Sequence, residues 1–101
     1  LDFIISNPKN DDIIGALYVI LNNGKLEMGK YIGNKKYLGK GVASSATSSF
    51  INFIKKYFPV YDLYAVTKKT NKTNINLNKN KNFIIEKDLK NGYIRMRLKL
   101  S

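Results

Sequence analysis

The chain has 101 residues, the size of one domain, and its 44% apolar and 25% charged residues are typical of a globular protein. Cysteine and histidine are both absent. Their absence excludes disulfide frameworks, zinc fingers, thiol nucleophiles and Ser-His-Asp hydrolases. Any catalysis must therefore use carboxylates, tyrosine, lysine, hydroxyls or backbone groups.

The charge balance is strongly basic, with 18 Lys+Arg against 7 Asp+Glu and a net charge of +11. A surface that binds nucleic acid, or one that attracts a polyanionic cofactor, is one interpretation. An ordinary solvated surface is favoured over both, because only Arg95 and Arg97 are arginine and the lysines are scattered along the whole chain. Enrichment in Lys, Asn and Ile is typical of an AT-rich coding sequence, and the lysines then form a solvated surface.

No run of 18 apolar residues is present, so no transmembrane helix is expected. The first residues, Leu1 to Ser6, resemble the middle of a strand, and no basic segment of a signal peptide precedes them. We therefore expect a single domain over residues 1–101, cut from a longer chain, with the cytoplasm as its default location.

The predicted elements begin with three strands. Phe3 to Ile5 is a short strand that ends at a turn-rich segment, residues 6–12. Ile13 to Leu21 and Lys25 to Ile32 are β-prone and are joined by Asn22-Asn23-Gly24, a hairpin signal. These segments predict an antiparallel meander.

From Val42 the period of the apolar residues becomes helical, and Pro59 ends the pattern. The apolar stripe consists of Ala43, Ala46, Phe50, Phe53, Ile54 and Tyr57. The serines and threonines between them are mediocre helix formers, so packing against the rest of the fold must hold this helix.

A second strand-helix pair and a hairpin complete the chain. Asp62 to Thr67 is typical of a strand, and Thr70 to Lys81 of a weaker helix, because its asparagines resist helix formation. Phe83 to Asp88 and Tyr93 to Leu100 are strands, and apolar residues alternate with charged ones in the second. The order β-β-β-α-β-α-β-β predicts an α/β fold with a mixed, mostly antiparallel sheet and two helices.

The segment most informative about function is the glycine-rich loop before the first helix. Gly39 and Gly41 flank Lys40 at the helix entrance, where the backbone can approach a ligand and the first N–H groups point outward. With the helix dipole, this arrangement suits a phosphate or pyrophosphate, although a tight turn without a ligand is the alternative. The side chains that could add cations or hydroxyl donors are those of Lys36, Lys40, Ser44 and Ser45.

Two familiar phosphate-binding motifs are excluded. A P-loop requires G-x-x-x-x-G-K-[ST], whereas five residues separate Gly33 from Gly39, and Lys40 is followed by Gly41. The dinucleotide-binding fingerprint requires a third glycine where Ser44 stands.

The wider sequence around this loop resembles the acetyl-CoA-binding core of the GNAT acyltransferase superfamily. In residues 27–43, the family loop [QR]-x-x-G-x-[GA] corresponds to Lys36–Gly41, with Lys where Gln or Arg is usual. Residues 71–83 resemble a second family element, N-x-x-[SA]-[IL]-x-L-Y-E-K-x-G-F. The likeness extends from about Phe3 to Leu100 and is to the branch that acts on protein N-termini, polyamines and nucleotide-linked amino sugars.

The resemblance implies a GNAT-like fold and an acetyl-CoA-dependent N-acetyltransferase that transfers acetyl directly to a primary amine, without a metal. Pantetheine would lie between the strand that ends at Gly33 and the Leu63–Thr67 strand, and an N–H near Ile32 would polarise the thioester carbonyl. The cofactor-binding residues implied in this way are Tyr31, Ile32, Gly33, Lys36, Leu38, Gly39, Lys40, Gly41, Val42, Ala43, Ser44, Asn71 and Asn74.

Glu27 is the leading candidate for the base that deprotonates the amine, and Glu86 and Asp62 are weaker ones. Glu27 could equally be a cross-strand partner of Lys25 or a helix-cap contact. Tyrosines could line an acceptor pocket or be ordinary half-buried sheet residues. They are Tyr18, Tyr31, Tyr61, Tyr64 and Tyr93.

Several positions depart from the family pattern. The tyrosine that commonly protonates the leaving CoA thiolate corresponds to Asn78, and the glycine before Phe83 is Asn82. The strand and two helices that usually precede this core, and that build the acceptor wall, have no counterpart. Three alternatives therefore stay open: a degenerate GNAT-fold module that binds CoA without turnover, an interaction module that binds no CoA, and a small basic nucleic-acid binder. A homodimer is also compatible with the resemblance.

Overall fold

The computed structural model describes residues 2–7, 9–10, 12–37, 39–58 and 61–100. In these residues, six strands form one sheet, on which two α-helices pack. The strands are β1 (Asp2–Ser6), β2 (Ile13–Asn22), β3 (Lys25–Ile32), β4 (Leu63–Lys68), β5 (Ile84–Asp88) and β6 (Tyr93–Leu98), and the helices are α1 (Val42–Tyr57) and α2 (Lys72–Asn80). The predicted α/β class and element order are confirmed.

The strand order in the sheet is β1-β2-β3-β4-β6-β5. The first three strands form the predicted meander, and the β2–β3 turn contains two residues of positive φ, Asn23 (51°) and Gly24 (75°), as a type I′ hairpin requires. Helix α1 carries the chain over to β4, which pairs with β3 in parallel. The other neighbouring strands are antiparallel, so the sheet is mixed.

Both helices cover the same face of the sheet. Alternate strand residues on that face join Phe50, Ile51 and Ile54 of α1 and Ile75 of α2 in one apolar core. The strand residues in it are Leu17, Val19, Leu26, Met28, Leu63, Ala65, Ile94, Met96 and Leu98. Two successive right-handed crossovers place their helices on one side of a sheet, which accounts for this arrangement.

The opposite face has no helix among the described residues and exposes apolar side chains, including Tyr18, Tyr31 and Val66. Tyr64 is buried on this face because Arg95 and Arg97 stack over its ring, with guanidinium carbons 5.5 and 5.9 Å from the ring centroid. The alternation of β6 predicted from the sequence is thus confirmed, with Ile94, Met96 and Leu98 buried on the helix side.

The structure differs from the sequence analysis in the buried face of α1. Thr47 and Ile51 are buried, whereas Tyr57, which the stripe included, is 56% exposed because it lies in the last turn of the helix. Helix α2 is shorter than predicted, because the Asn71 side chain caps its first turn and Asn82, at φ 74°, ends it. Neither helix is long and apolar enough for a membrane crossing.

The packing of α1 predicts a large difference between two identical substitutions. Ile54→Ala removes a fully buried side chain from the core and should lower the free energy of unfolding by about 2–5 kcal/mol. Ile84→Ala changes a side chain that is 61% exposed and should cost about 1 kcal/mol or less. Urea denaturation monitored by circular dichroism measures both, and equal losses would contradict the assigned core.

Candidate functional site

The central feature of the site is a cleft between β3 and β4. The two strands pair only from Leu26–Leu63 to Met28–Ala65 and then separate. The opening contains a cavity of about 370 Å³. Its walls come from β2, β3, the first turn of α1, β4 and α2, and include Tyr18, Gly29, Lys30, Ala43, Thr67, Asn71, Asn74 and Asn78.

Residues on both faces of the sheet line the cleft. On the face without helices, Tyr18 lies across Gly29, where a Cβ would be 2.1 Å from the tyrosine ring. On the helix face, Lys30 and Asn78 line the same cavity. A long, thin ligand could therefore enter from the side of α1 and present its end at the face that carries Tyr18.

The edge of β3 offers backbone groups to this cleft. Asn22 and Lys25 close a two-residue hairpin, so these two residues exchange both backbone hydrogen bonds. Hydrogen-bonded and non-hydrogen-bonded pairs alternate along an antiparallel ladder, so Ala16 and Tyr31 also form a hydrogen-bonded pair. The N–H and C=O groups of Lys30 and Ile32 consequently point away from β2, towards the side on which β4 has separated. The predicted donor near Ile32 thus faces the cleft.

Lys30 places an ammonium group inside the cleft. Its Nζ donates to Asn78 Oδ1 at 2.9 Å and to Thr47 Oγ1 at 3.4 Å, and both partners are fully buried. Burial, with a smaller contribution from the nearby charge of Lys81, lowers the pKa of Lys30 to about 8. Lys30 is not among the site residues predicted from the sequence. Its signal is that Lys30 continues the inward positions of Leu26 and Met28 along β3, where a lysine is unusual.

The predicted pair Asn71 and Asn74 does lie at the cleft. Asn71 Oδ1 accepts from the Asn74 backbone N–H at 3.1 Å, and Asn74 Nδ2 donates to Thr67 Oγ1 at 2.8 Å. These bonds fix the start of α2 against β4, so the amide groups form one polar wall of the cavity.

The glycine loop adjoins the cleft through Ala43, which belongs to the cavity wall and to the first turn of α1. Gly39 and Gly41 have φ of 74° and 77°, a conformation that other residues rarely adopt, and a Cβ at either would meet no atom within 4 Å. No side chain of the described residues caps Gly41, and the first amide bonded inside the helix is that of Ser45, to Gly41 O at 3.0 Å. The amides of Val42, Ala43 and Ser44 precede it, where helices lack internal acceptors.

Other predicted cofactor residues are placed less directly. Leu38 lies outside the described residues. Lys36 forms an ion pair with Asp12 at 3.1 Å, and Tyr37 also donates to this carboxylate. The hydrogen bonds from Lys36 and Tyr37 lower the pKa of Asp12, and the bond to Asp12 raises that of Lys36. The Gly33 N–H donates a hydrogen bond to Ile14 O at 3.0 Å, so it is already paired within the protein. The side chain of Tyr31 is exposed and lies beside Gly33. Lys40 and Val42 line a separate cavity beside β1.

The three carboxylates proposed as bases have different surroundings. Glu27 lies on the face without helices, and its Oε2 accepts from Asn22 Nδ2 at 3.0 Å rather than pairing with Lys25. Asp62 pairs with Arg97, and Glu86 pairs with Arg95 at 2.8 Å. Glu27 is therefore the one of the three that no cation of the described residues neutralises, and it adjoins Met28, where the strands begin to separate.

The fold has well-matched counterparts among solved structures, although no protein-family model and no curated protein matches the chain. A chimera of the spermidine N-acetyltransferase SpeG from Vibrio cholerae and hSSAT superposes with a TM-score of 0.85 at 19% identity over 98% of this chain. A GNAT-family acetyltransferase from Bacillus anthracis superposes with a TM-score of 0.84, at 16% sequence identity over 98% of this chain. The Campylobacter jejuni N-acetyltransferase PseH superposes with a TM-score of 0.74, at 25% sequence identity over 91% of this chain.

The chain has the GNAT acetyltransferase fold. This confirms, for the architecture, the resemblance seen in residues 27–43 and 71–83. The chain spans 66%, 66% and 63% of the length of these three solved structures. About a third of each GNAT-fold neighbour therefore lies outside the superposed part.

The burial of Lys30 predicts a pH-dependent contribution to stability. Because its pKa is about 8 in the folded state and 10.5 in the unfolded state, the unfolded chain binds the additional proton between these values. The free energy of unfolding of the wild type should therefore rise with pH from 8 to 10.5, relative to Lys30→Met, by at most about 3 kcal/mol.

Urea denaturation of both proteins at pH 7, 8.5 and 10.5 measures this difference. Lys79→Met, which removes an exposed lysine of the same helix as Asn78, is the matched control and should run parallel to the wild type. If the free energies of unfolding of the wild type and Lys30→Met differ by the same amount at all three pH values, the partly buried environment of Lys30 is contradicted.

Proposed function

We propose that this chain is the acyl-CoA-binding core of an N-acetyltransferase that transfers acetyl from acetyl-CoA directly to a primary amine. The observation that carries the proposal is the cleft where β3 and β4 separate, whose wall includes Ala43 in the first turn of α1, a turn that no side chain of the described residues caps. A turn with outward amides beside a narrow slot would suit CoA, which has an anionic head on a thin pantetheine arm. The GNAT fold of the chain supports the same substrate.

The pyrophosphate would be held by the backbone of residues 39–44. The left-handed Gly39 and Gly41 leave the space above the turn open, and the amides of Val42, Ala43 and Ser44 supply donors at the positive end of the α1 dipole. The exposed Lys40 adds a cation at the same turn. Lys36 already pairs with Asp12, so its contribution is to fix the loop and, at longer range, to attract the anion.

The pantetheine arm would lie in the cleft and bond to the free edge of β3, as an additional strand does. Asn71 and Asn74 offer amide groups from the opposite wall. The N–H of Ile32, which points to this side, would polarise the thioester carbonyl and stabilise the oxyanion formed when the amine attacks.

The acceptor amine would approach from the face without helices, where Glu27 is held by Asn22. An ammonium must lose a proton before it can attack, and we assign this task to Glu27, acting through water. Glu86 and Asp62 are unsuitable for it, because Arg95 and Arg97 pair with them. The same pairing occupies both arginines of the chain, so the nucleic-acid interpretation gains no support from the structure.

Calorimetric titration with acetyl-CoA tests the binding half of the proposal, and thiol release with a panel of amines tests the transfer half. Spermidine, an amino-sugar nucleotide and a peptide with a free N-terminus cover three classes of acceptor. Failure to bind at millimolar acetyl-CoA would overturn the proposal. Binding without thiol release would identify a GNAT-fold module that has lost turnover.

The glycine turn predicts a selective loss of binding. Gly41→Val places a branched side chain over the proposed pyrophosphate site and should weaken acetyl-CoA binding at least tenfold, as measured by calorimetry. Gly24→Val is the matched control, because Gly24 has the same positive φ and the same open surroundings at the opposite end of β3. Gly24→Val and Lys99→Ala should leave the affinity unchanged, and equal losses would contradict the assigned turn.

The proposed role of Glu27 predicts that its substitution lowers the rate of acetyl transfer without lowering the affinity for acetyl-CoA. Glu27→Gln retains an acceptor for Asn22 but cannot take a proton, so kcat should fall by about 10²-fold with the active amine while the acetyl-CoA Kd stays the same. Steady-state thiol release and calorimetry measure the two quantities. An unchanged kcat would remove Glu27 from the reaction.

A further inference from the structure

Lys30 is a partly buried cation for which the described residues supply no counter-ion. Its two hydrogen-bond partners, Asn78 and Thr47, are neutral. The ion pairs among the described residues involve other cations, namely Lys36, Lys69, Arg95 and Arg97. An ammonium has three N–H donors, so one donor of Lys30 has no acceptor in the described part of the chain. Even partial burial of such a charge costs free energy, which a bound anion would recover.

The two partners are themselves fixed, so the ammonium has a defined position. Thr47 donates its hydroxyl proton to Ala43 O at 2.7 Å, which leaves a lone pair for Lys30. Asn78 Nδ2 contacts Met96 Sδ at 3.7 Å, which turns Oδ1 towards Lys30. Both side chains are fully buried. The site is thus built to hold one positive charge beside the cavity between β3 and β4.

We propose that Lys30 is the proton donor to the sulfur atom of the departing coenzyme A. The proposal rests on the function proposed above. As the amine nitrogen bonds to the acetyl carbon, the C–S bond breaks and its electron pair goes to sulfur. An N–H proton of Lys30 passes to this thiolate, the attacking nitrogen gives up its own proton to the base, and solvent returns a proton to Lys30. The products are the amide and CoA with a protonated thiol.

The electrostatic surroundings suit this task. The groups that face Lys30 are Thr47 from α1 and Asn78 from α2, with the charge of Lys81 beyond the end of α2. The phenol of Tyr18, from β2, lines the same cavity on the other face of the sheet. With a pKa near 8, Lys30 is mostly charged at neutral pH and yet gives up its proton more readily than an ordinary lysine. Its protonated fraction falls as the pH rises through 8, so the acid is lost in alkaline solution.

Binding of CoA and desulfo-CoA separates this role from general electrostatic attraction. Lys30→Met and Lys30→Gln both remove the charge, and the second keeps a hydrogen-bonding side chain in case the first disturbs folding. At pH 8.5 we expect each variant to bind CoA about tenfold more weakly than the wild type, because the thiolate loses its partner. Affinities for desulfo-CoA and acetyl-CoA should change less than threefold. Lys79→Met is the control and should match the wild type.

Turnover supplies the second readout. With an active amine, kcat of Lys30→Met should be about 10²-fold lower than that of the wild type at pH 7.5. The wild-type kcat should decline above pH 8, and this decline should be absent from the residual rate of Lys30→Met. Ultraviolet absorbance of the bound thiolate should show that wild-type protein, and neither variant, lowers the thiol pKa of CoA.

Four results would overturn the assignment. Equal affinity of wild type and both variants for CoA, with acetyl-CoA still bound, would remove Lys30 from the sulfur while leaving the proposed function intact. An equal loss of affinity for CoA, desulfo-CoA and acetyl-CoA in the variants would show that Lys30 contacts another part of the ligand than the sulfur atom. Acetylation of Lys30 by acetyl-CoA, detected by peptide mass spectrometry, would make it a nucleophile. Absence of acetyl-CoA binding by the wild type would refute the proposed function and this inference together.

Discussion

The site depends on one constraint, the early end of the parallel ladder between β3 and β4. After Met28 and Ala65 the two strands separate, and no strand in the described part of the chain lies beside the backbone groups of Lys30 and Ile32 on that side. A sheet normally satisfies its internal edges, so an unpaired edge inside a six-stranded sheet is a place where a ligand can supply the missing partner. The cavity, the polar wall from α2 and the turn at the start of α1 all adjoin this gap.

Two rigid supports keep the gap open. On one side β2 and β3 pair over eight residue pairs, from Gly15–Ile32 to Asn22–Lys25, so β3 cannot follow β4 without losing that ladder. On the other side β4 pairs with β6 from Leu63–Leu98 to Lys68–Tyr93. Helix α1 fills the space below with Phe50, Ile51 and Ile54, and Thr47 and Asn78 replace apolar packing where the cleft begins. The polar residues of the core are therefore concentrated at the proposed reaction site.

The two faces of the sheet divide the chemistry between them. Lys30, Thr47 and Asn78 lie on the helix side, where burial weakens the hold of the ammonium on its proton. Glu27 and Tyr18 lie on the other face, where no helix of the described residues shields them. In the proposed reaction an acid acts on sulfur from one side and a base acts on the amine from the other. The change of face follows from the period of two along β3, which places positions 27 and 30 on opposite sides.

The sequence by itself determined the architecture and the loop. The alternation in β6, the hairpin signal at Asn23-Gly24, the helical period after Val42 and the glycines at 39 and 41 are local patterns, and local patterns fix elements and turns. Only the tertiary structure decided which side chains meet. Lys30 and Asn78 are 48 positions apart, and their hydrogen bond exists because α1 and α2 cover the same face of the sheet. The pairing of Lys36 with Asp12, 24 positions apart, likewise depends on packing, which no single segment specifies.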